Sequence, residues 1–416
     1  MSSHPSRYDR QADVPARFDP SLLDGVLRDG PENGRRDAYL VAPAVQNHAA
    51  MLEQLPGGDL GLVWFGGTQE GVSDISIWFS RLPEGSARWS EPVRISDDAS
   101  RSEQNPVLFA APDGALWLLY TAQLAGNQDT AEVRRRISLD DGRTWGAVET
   151  LFPATAEGGV FIRQPVVVTR SGRWLLPVFH CVSRPGRAWD GGLDTSAVMI
   201  SDDAGTTWRE VAVPESTGCV HMSVVELPDG TLHALFRSRR ADAIHRSLSR
   251  DDGETWSVPT PTALPNNNSS LQQRLLHDGR IAVVYNHSSR LDARGRRDSL
   301  YDEIDEQGII EGTAPQPEAA PVQTPLAPGE PFWGAPRAPM TLAASADGGA
   351  SFEVLGNLDE GDGYCLSNNS RDGVNREFSY PTILQAPDAR IDIAYTYFRR
   401  TIKHVRLAPD WRRAAP

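Results

Sequence analysis

The sequence is poor in cysteine, in long apolar runs and in positive charge, and each shortage excludes something. Its 416 residues include three cysteines, Cys181, Cys219 and Cys365. An odd, sparse set makes no disulfide framework and lacks zinc-type spacing. No apolar run approaches the roughly 18 residues of a membrane span. Lys and Arg number 41 against 55 Asp and Glu, a formal charge of −14. That balance argues against nucleic acid as a partner, which needs clustered cations. The short run Arg134, Arg135, Arg136 reads as a solvated strand face. The start, MSSHPSRYDRQADVPARF, has no apolar signal region, so a cytoplasmic protein is expected. No metal-ligand cluster has suitable spacing, so neither metal nor cofactor is expected. Nothing in the sequence sets an oligomeric state.

What is present is a core and many turns. Hydrophobic residues make up 39% and aromatics 8%, enough for a buried globular core. Gly (36) and Pro (31) are frequent, as in a chain of many short strands. A box, Ser-x-Asp-x-Gly-x-Thr-Trp, recurs as SLDDGRTW (Ser138 to Trp145), SDDAGTTW (Ser201 to Trp208) and SRDDGETW (Ser249 to Trp256). A degenerate copy, SADGGASF, runs from Ser345 to Phe352. Starts 63 and 48 residues apart are propeller or solenoid periods. The Asp and Gly suit a tight turn, and the Trp is expected to pack under the next blade.

A second repeat is a hairpin of two apolar strands. It occurs in HAAMLEQLPGGDLGLVWFGG, NPVLFAAPDGALWLLYTA, QPVVVTRSGRWLLPVF, HMSVVELPDGTLHALFRS, SLQQRLLHDGRIAVVYN and YPTILQAPDARIDIAYTYF. Asp-Gly pairs between alternating strands are hairpin signals. Six hairpins predict an all-β fold, one six-bladed β-propeller over residues 38–416, preceded by a polar lead-in at 1–37. The last hairpin is followed only by IKHVRL, so its blade lacks an outer strand. The extended AYLVAPAV (Ala38 to Val45) is expected to supply it and close the ring. A Pro-, Glu- and Gly-rich insertion at about 288–336, in blade five, is expected to be a surface loop or lid.

In such a ring, residues opening the inner strands converge on one face. Reading back from each turn gives His48, Asn105, Gln164, His221, Ser269 or Ser270, and Tyr380. Polar flanks include Arg163, Asn268, Arg376 and Glu377. A concave polar cluster is the default site. Asn and Ser at strand entries also hold turns. Two histidines and a tyrosine at equivalent mouths favour function there.

The boxes and the hairpin order resemble the sialidase superfamily, whose six-bladed fold carries Asp-boxes; the similarity covers about Ala38 to Leu407. The pattern of WFGGTQEG, RSEQNP, PNNNSS and the Tyr-Pro at Tyr380 looks most like its BNR-repeat "predicted neuraminidase" branch. The resemblance implies that Tyr380 in FSYPTIL is the nucleophile. It implies that Arg237, ending VVELPDGTLHALFR, and Arg337, eight residues before the last box, bind a substrate carboxylate, unless they pair with a ring carboxylate such as Glu377. The activating glutamate is replaced by His221 and the first arginine by His48. Glu70 or Asp74 stands nearest the acid/base position, at shifted spacing. Trp333 either stacks on a sugar ring or packs. The expected partner is therefore an acidic oligosaccharide. The expected activity is exo-type hydrolysis by Tyr380, with elimination at a hexuronate by His and Tyr, or binding without catalysis, as the alternatives.

Overall fold

The computed structural model describes residues 18–412 except 185, 298, 302, 306–307, 310–326, 328 and 372. Strands dominate it; among the described residues the helices are three single turns of 3-10 type. Alternating apolar residues and tight turns produce six antiparallel sheets of four or five strands, the blades of one propeller, and Ile304–Asp305 pairs with Gly308–Ile309 in a small separate sheet. Blade 1 runs through Gln46–Gln54, Leu60–Gly67, Ser76–Leu82 and Val93–Arg94, from the axis outward. The inner strands of blades 2, 4, 5 and 6 are Ser102–Ala110, Cys219–Glu226, Gln272–Leu275 and Phe378–Gln385. The inner strand of blade 3 is split into Gly159–Ile162 and Val167–Val168. Pro165, which has no N–H to give a ladder, lies in the gap.

The ring closes through the N-terminal strand, but not where expected. The closing strand is Arg35–Tyr39, paired antiparallel with Thr401–Leu407, and Arg28–Asp29 adds a further strand outside it. Only Ala38 and Tyr39 of the expected Ala38–Val45 segment pair in register. Residues 41–45 instead carry the chain across to blade 1, and Pro43 lacks the N–H a ladder needs. The seam is sealed by apolar packing of Leu40, Leu52, Trp64, Leu384, Ala394 and Ile402.

All four boxes fold alike. In the one at Ser249, the serine hydroxyl bonds Asp251 and accepts the Gly253 amide, and Asp251 accepts both the amide and the hydroxyl of Thr255. The box aromatics pack on the preceding blade rather than the next. Trp145 meets Phe79 of blade 1, and Trp208 meets Phe152 of blade 2. The turn folds the ring back over the outer strands already laid down, so its neighbour is the earlier blade.

The axis is filled. Gln272 accepts from Thr382 Oγ1 (2.9 Å) and the Ile383 amide (2.6 Å), and Gln164 donates to the Leu271 carbonyl (2.7 Å). These bonds tie blades 3, 5 and 6 together. Parts of the insertion are described, and they pack inward: Leu300, Tyr301, Ile304, Phe332 and Trp333 are buried. The stretch 310–326 of the expected lid lies outside the described residues.

Candidate active site

The inner strands enter from one face, and four of them are broken near the mouth by the same device. Register shifts fall between His48 and Met51, Gln104 and Val107, Val220 and Ser223, and Ser379 and Thr382. Each break holds a left-handed residue that is not glycine: Ala49 (φ 62°), Asn105 (48°), His221 (54°) and Tyr380 (53°). Asn268 (57°) does the same just ahead of the inner strand of blade 5. Such conformations cost about 1–3 kcal/mol each and gather at functional sites, where a bulge re-aims a side chain.

The re-aimed side chains meet around Tyr380. The His48 ring lies 4.3 Å from the Tyr380 ring and the His221 ring 5.5 Å away, centroid to centroid. Arg237 donates from Nη1 to the Tyr380 hydroxyl at 2.6 Å. The same nitrogen faces His221 Nε2 at 3.4 Å. A guanidinium only donates, which assigns the lone pair to His221 Nε2 and the proton to Nδ1. Asn268 accepts from Arg237 Nε at 2.8 Å and donates to the Phe332 carbonyl, linking the arginine to the insertion. The guanidiniums of Arg163 and Arg337 stand 5.4 and 5.7 Å from the Tyr380 ring centre.

The charges here are unevenly matched. Glu377 takes Arg337 Nη1 at 3.0 Å and Arg399 Nε at 3.1 Å, and Glu70 takes Arg399 Nη1 at 2.6 Å. Burial opposes ionisation of Glu377, yet Arg337 and Arg399 hold its carboxyl well below the usual range. Among the described residues, Arg163 and Arg237 have no carboxylate partner. Burial pulls Arg163 down to about 10 and Arg237 down to about 9. Burial also takes His48 and His221 well below the ordinary imidazole value, and the arginines add to the effect, so both rings are neutral. Several buried atoms of these side chains have no hydrogen-bond partner among the described residues: Arg237 Nη2, His221 Nδ1, His48 Nε2, and Nε and Nη1 of Arg163. A buried polar atom left bare costs about 1–3 kcal/mol, so a set of them around one phenol marks a place for a polar ligand.

The structure thus brings together Tyr380, His48, His221, Arg237, Arg337, Arg163 and Asn268. Asn105 sits at the equivalent left-handed position of blade 2. Other expected members are differently engaged. Asp74 is exposed and caps a local turn through the Thr68 amide and hydroxyl, six residues away. Glu70 is close by but committed to Arg399. Gln164 belongs to the filled axis. Arg376 pairs with Asp362 at the rim and stacks on Tyr364. Trp333 packs: it is 3% exposed, donates to the Asp190 carbonyl, and lies against Trp189, Arg237 and Arg239. Arg399 was not foreseen. It follows the middle strand of blade 6 in a turn, and no periodic signal marks it. Among the described residues no three His, Cys, Asp or Glu side chains converge as metal ligands.

A family model described as "BNR repeat-like domain" matches residues 58–393, most of the chain, so the chain belongs to that family. Solved structures share the fold. "Hadza microbial sialidase Hz136" superposes with a TM-score of 0.61 at 16% identity, over 88% of this chain and 66% of that one. An intramolecular trans-sialidase from Ruminococcus gnavus, in complex with oseltamivir carboxylate, gives 0.61 at 14% identity over 91% of this chain and 98% of that one. A protein of unknown function from Dyadobacter fermentans gives 0.60 at 16% over 90% and 99%. No curated protein matches the chain significantly.

Proposed function

We propose that the protein is a carbohydrate-active enzyme that breaks the glycosidic bond of a sugar carrying a carboxylate, with Tyr380 at the reacting centre. One observation carries this: Arg237 Nη2, His221 Nδ1 and His48 Nε2 are buried, unpartnered and arranged around that phenol. A carboxylate satisfies a guanidinium in a dry mouth with strong bonds. The Ruminococcus gnavus neighbour, solved with oseltamivir carboxylate, binds a ligand bearing that group on the same fold.

The acid–base groups at hand favour elimination. Glu70 is ion-paired, Asp74 is turned into its own loop, and the rings flanking Tyr380 are neutral imidazoles. In this route Arg237 draws charge from a uronate carboxylate, which makes the C5 proton removable, while Arg337 is held by Glu377. A base takes that proton, the C4–oxygen bond breaks with its electron pair on the leaving oxygen, a C4–C5 double bond forms, and an acid protonates the leaving oxygen. Tyr380 and the histidines supply the base and the acid. The second reading is hydrolysis by attack of Tyr380 on the anomeric carbon, with His221 as its base. It is supported by the position of Tyr380 at the mouth of the last blade and by the sialidases among the neighbours.

The test is a panel of sialosides and oligouronides assayed for both new reducing ends and ultraviolet absorbance of an unsaturated product. Cleavage is expected, and Tyr380→Phe is expected to lower turnover by about a thousandfold. An absorbing product establishes elimination; reducing ends without it establish hydrolysis. Binding without turnover makes the protein a sugar-binding propeller. Full activity in Tyr380→Phe removes both catalytic readings.

A further inference from the structure

Arg163 enters from the gap in the inner strand of blade 3 and is 1% exposed. Its Nη2 donates to the carbonyls of Ala50 (2.9 Å), Tyr380 (3.0 Å) and Pro381 (3.3 Å), in blades 1 and 6 across the axis. Those carbonyls share a history. The register shift between Ser379 and Thr382 drops Tyr380 and Pro381 from the ladder, and the shift between His48 and Met51 drops Ala50. Buried backbone acceptors need a donor from somewhere. One guanidinium supplies it to both bulges, including the carbonyl of Tyr380, whose φ is 53°.

We propose that Arg163 is a positioning residue for the reaction at Tyr380: it grips the two bulges that present His48 and Tyr380 and does not touch the substrate. The inference rests on the reading of Tyr380 as the reacting residue. Ala50 and Pro381 lie further along the inner strands than His48 and Tyr380, so the grip is applied below the mouth rather than in it. Few side chains could do the same. A single nitrogen, Nη2, reaches carbonyls on two strands, and the positive charge strengthens each bond. That charge also acts at a distance, being one of those that keep His48 and His221 unprotonated. Its bare Nε and Nη1 offer the competing role of substrate ligand.

The experiment compares Arg163→Gln and Arg163→Lys in the full chain. It measures kcat and KM against pH on an acidic oligosaccharide cleaved by the wild type, with thermal melting of each variant. In Arg163→Gln, kcat is expected to fall about a hundredfold, the scale of a misplaced reacting group, with KM held within about threefold. The acidic limb of its kcat profile moves to higher pH, because losing a cation lets the histidines protonate more readily. Arg163→Lys is expected to keep that limb in place and to regain about tenfold in kcat. A rise in KM with kcat intact overturns the inference by making Arg163 a ligand. Loss of activity in proportion to loss of folded protein, with an unmoved pH profile, overturns it by making the residue structural. If the wild type cleaves none of the sugars, the functional reading itself fails and takes this inference with it. A failure confined to the variants leaves that reading standing.

Discussion

Two charge clusters with comparably buried cations lie in the same molecule, oppositely arranged. At the seam where the N-terminal strand closes the ring, Arg35 bonds Asp37 at 2.7 Å and Glu32 at 2.9 Å. Lys403, the one lysine of the chain, bonds Asp37 at 3.1 Å and Asp359 at 2.9 Å. Burial pulls both cations down, but their carboxylates outweigh it and both end above their ordinary values. At the mouth, Arg163 and Arg237 are as buried, yet end below theirs. Burial is common to the two places; the partner is what differs. A seam meant to stay shut has every charge answered, and a mouth meant to receive a ligand leaves some for the ligand to answer.

The largest expected effect comes from swapping one cation in each cluster for an apolar residue. Lys403→Met strands Asp359, leaves Asp37 to Arg35 alone, and should cost about 3 kcal/mol of unfolding free energy, with kcat unchanged. Arg237→Met removes a charge with no counter-ion among the described residues, so it should cost clearly less stability than Lys403→Met, chiefly by orphaning Asn268 Oδ1, while losing affinity for acidic sugars. Chemical denaturation beside a binding isotherm reads both. Equal destabilisation by the two substitutions would erase the distinction between the clusters.

A smaller effect is expected from acid. His48 and His221 are held neutral in the fold, so the unfolded chain binds more protons below its imidazole value of about 6.5. Their stability contribution is complete above that pH and drains away as pH falls below it, at about 1.4 kcal/mol per unit per histidine. At the seam, the Asp37 carboxyl is held below its ordinary value by Lys403 and Arg35 against the pull of burial, so that cluster loses its contribution only in the carboxylate range. Unfolding free energy measured from pH 7 to 5 should therefore fall less steeply in His48→Gln than in the wild type. Identical slopes would mean that His48 is protonated in the fold.

The smallest effect belongs to the rim. Asp251→Ala removes the acceptor of the Thr255 amide and hydroxyl in one of four matching turns, and should cost about 1–2 kcal/mol with no change in kcat. A loss of activity at constant fold would tie the boxes to the site, contrary to their place on the outer strands.

Much of this was legible beforehand, and for a common reason. Alternating strands, Asp-Gly turns and boxes are local patterns, so six hairpins could be counted along the chain. Counting back from their turns reached His48, Asn105, His221 and Tyr380, because every blade enters the ring the same way. What escaped depended on contacts between blades. The closing strand began at Arg35 rather than Ala38, since its partner, Thr401–Leu407, decides the register. Trp145 and Trp208 turned to the earlier blade. Arg399 reached the mouth from an unmarked turn, and Trp333 was taken up by packing on Arg237 and Arg239.

The chain's own pattern determines which residues become strands and which open them, because a two-residue period and a tight turn need only near neighbours. Whether Lys403 reaches Asp37 and Arg399 reaches Glu70 was decided by the closed ring alone. That outcome depends on side chains hundreds of residues apart arriving, or not arriving, within hydrogen-bond distance in a medium that screens them little.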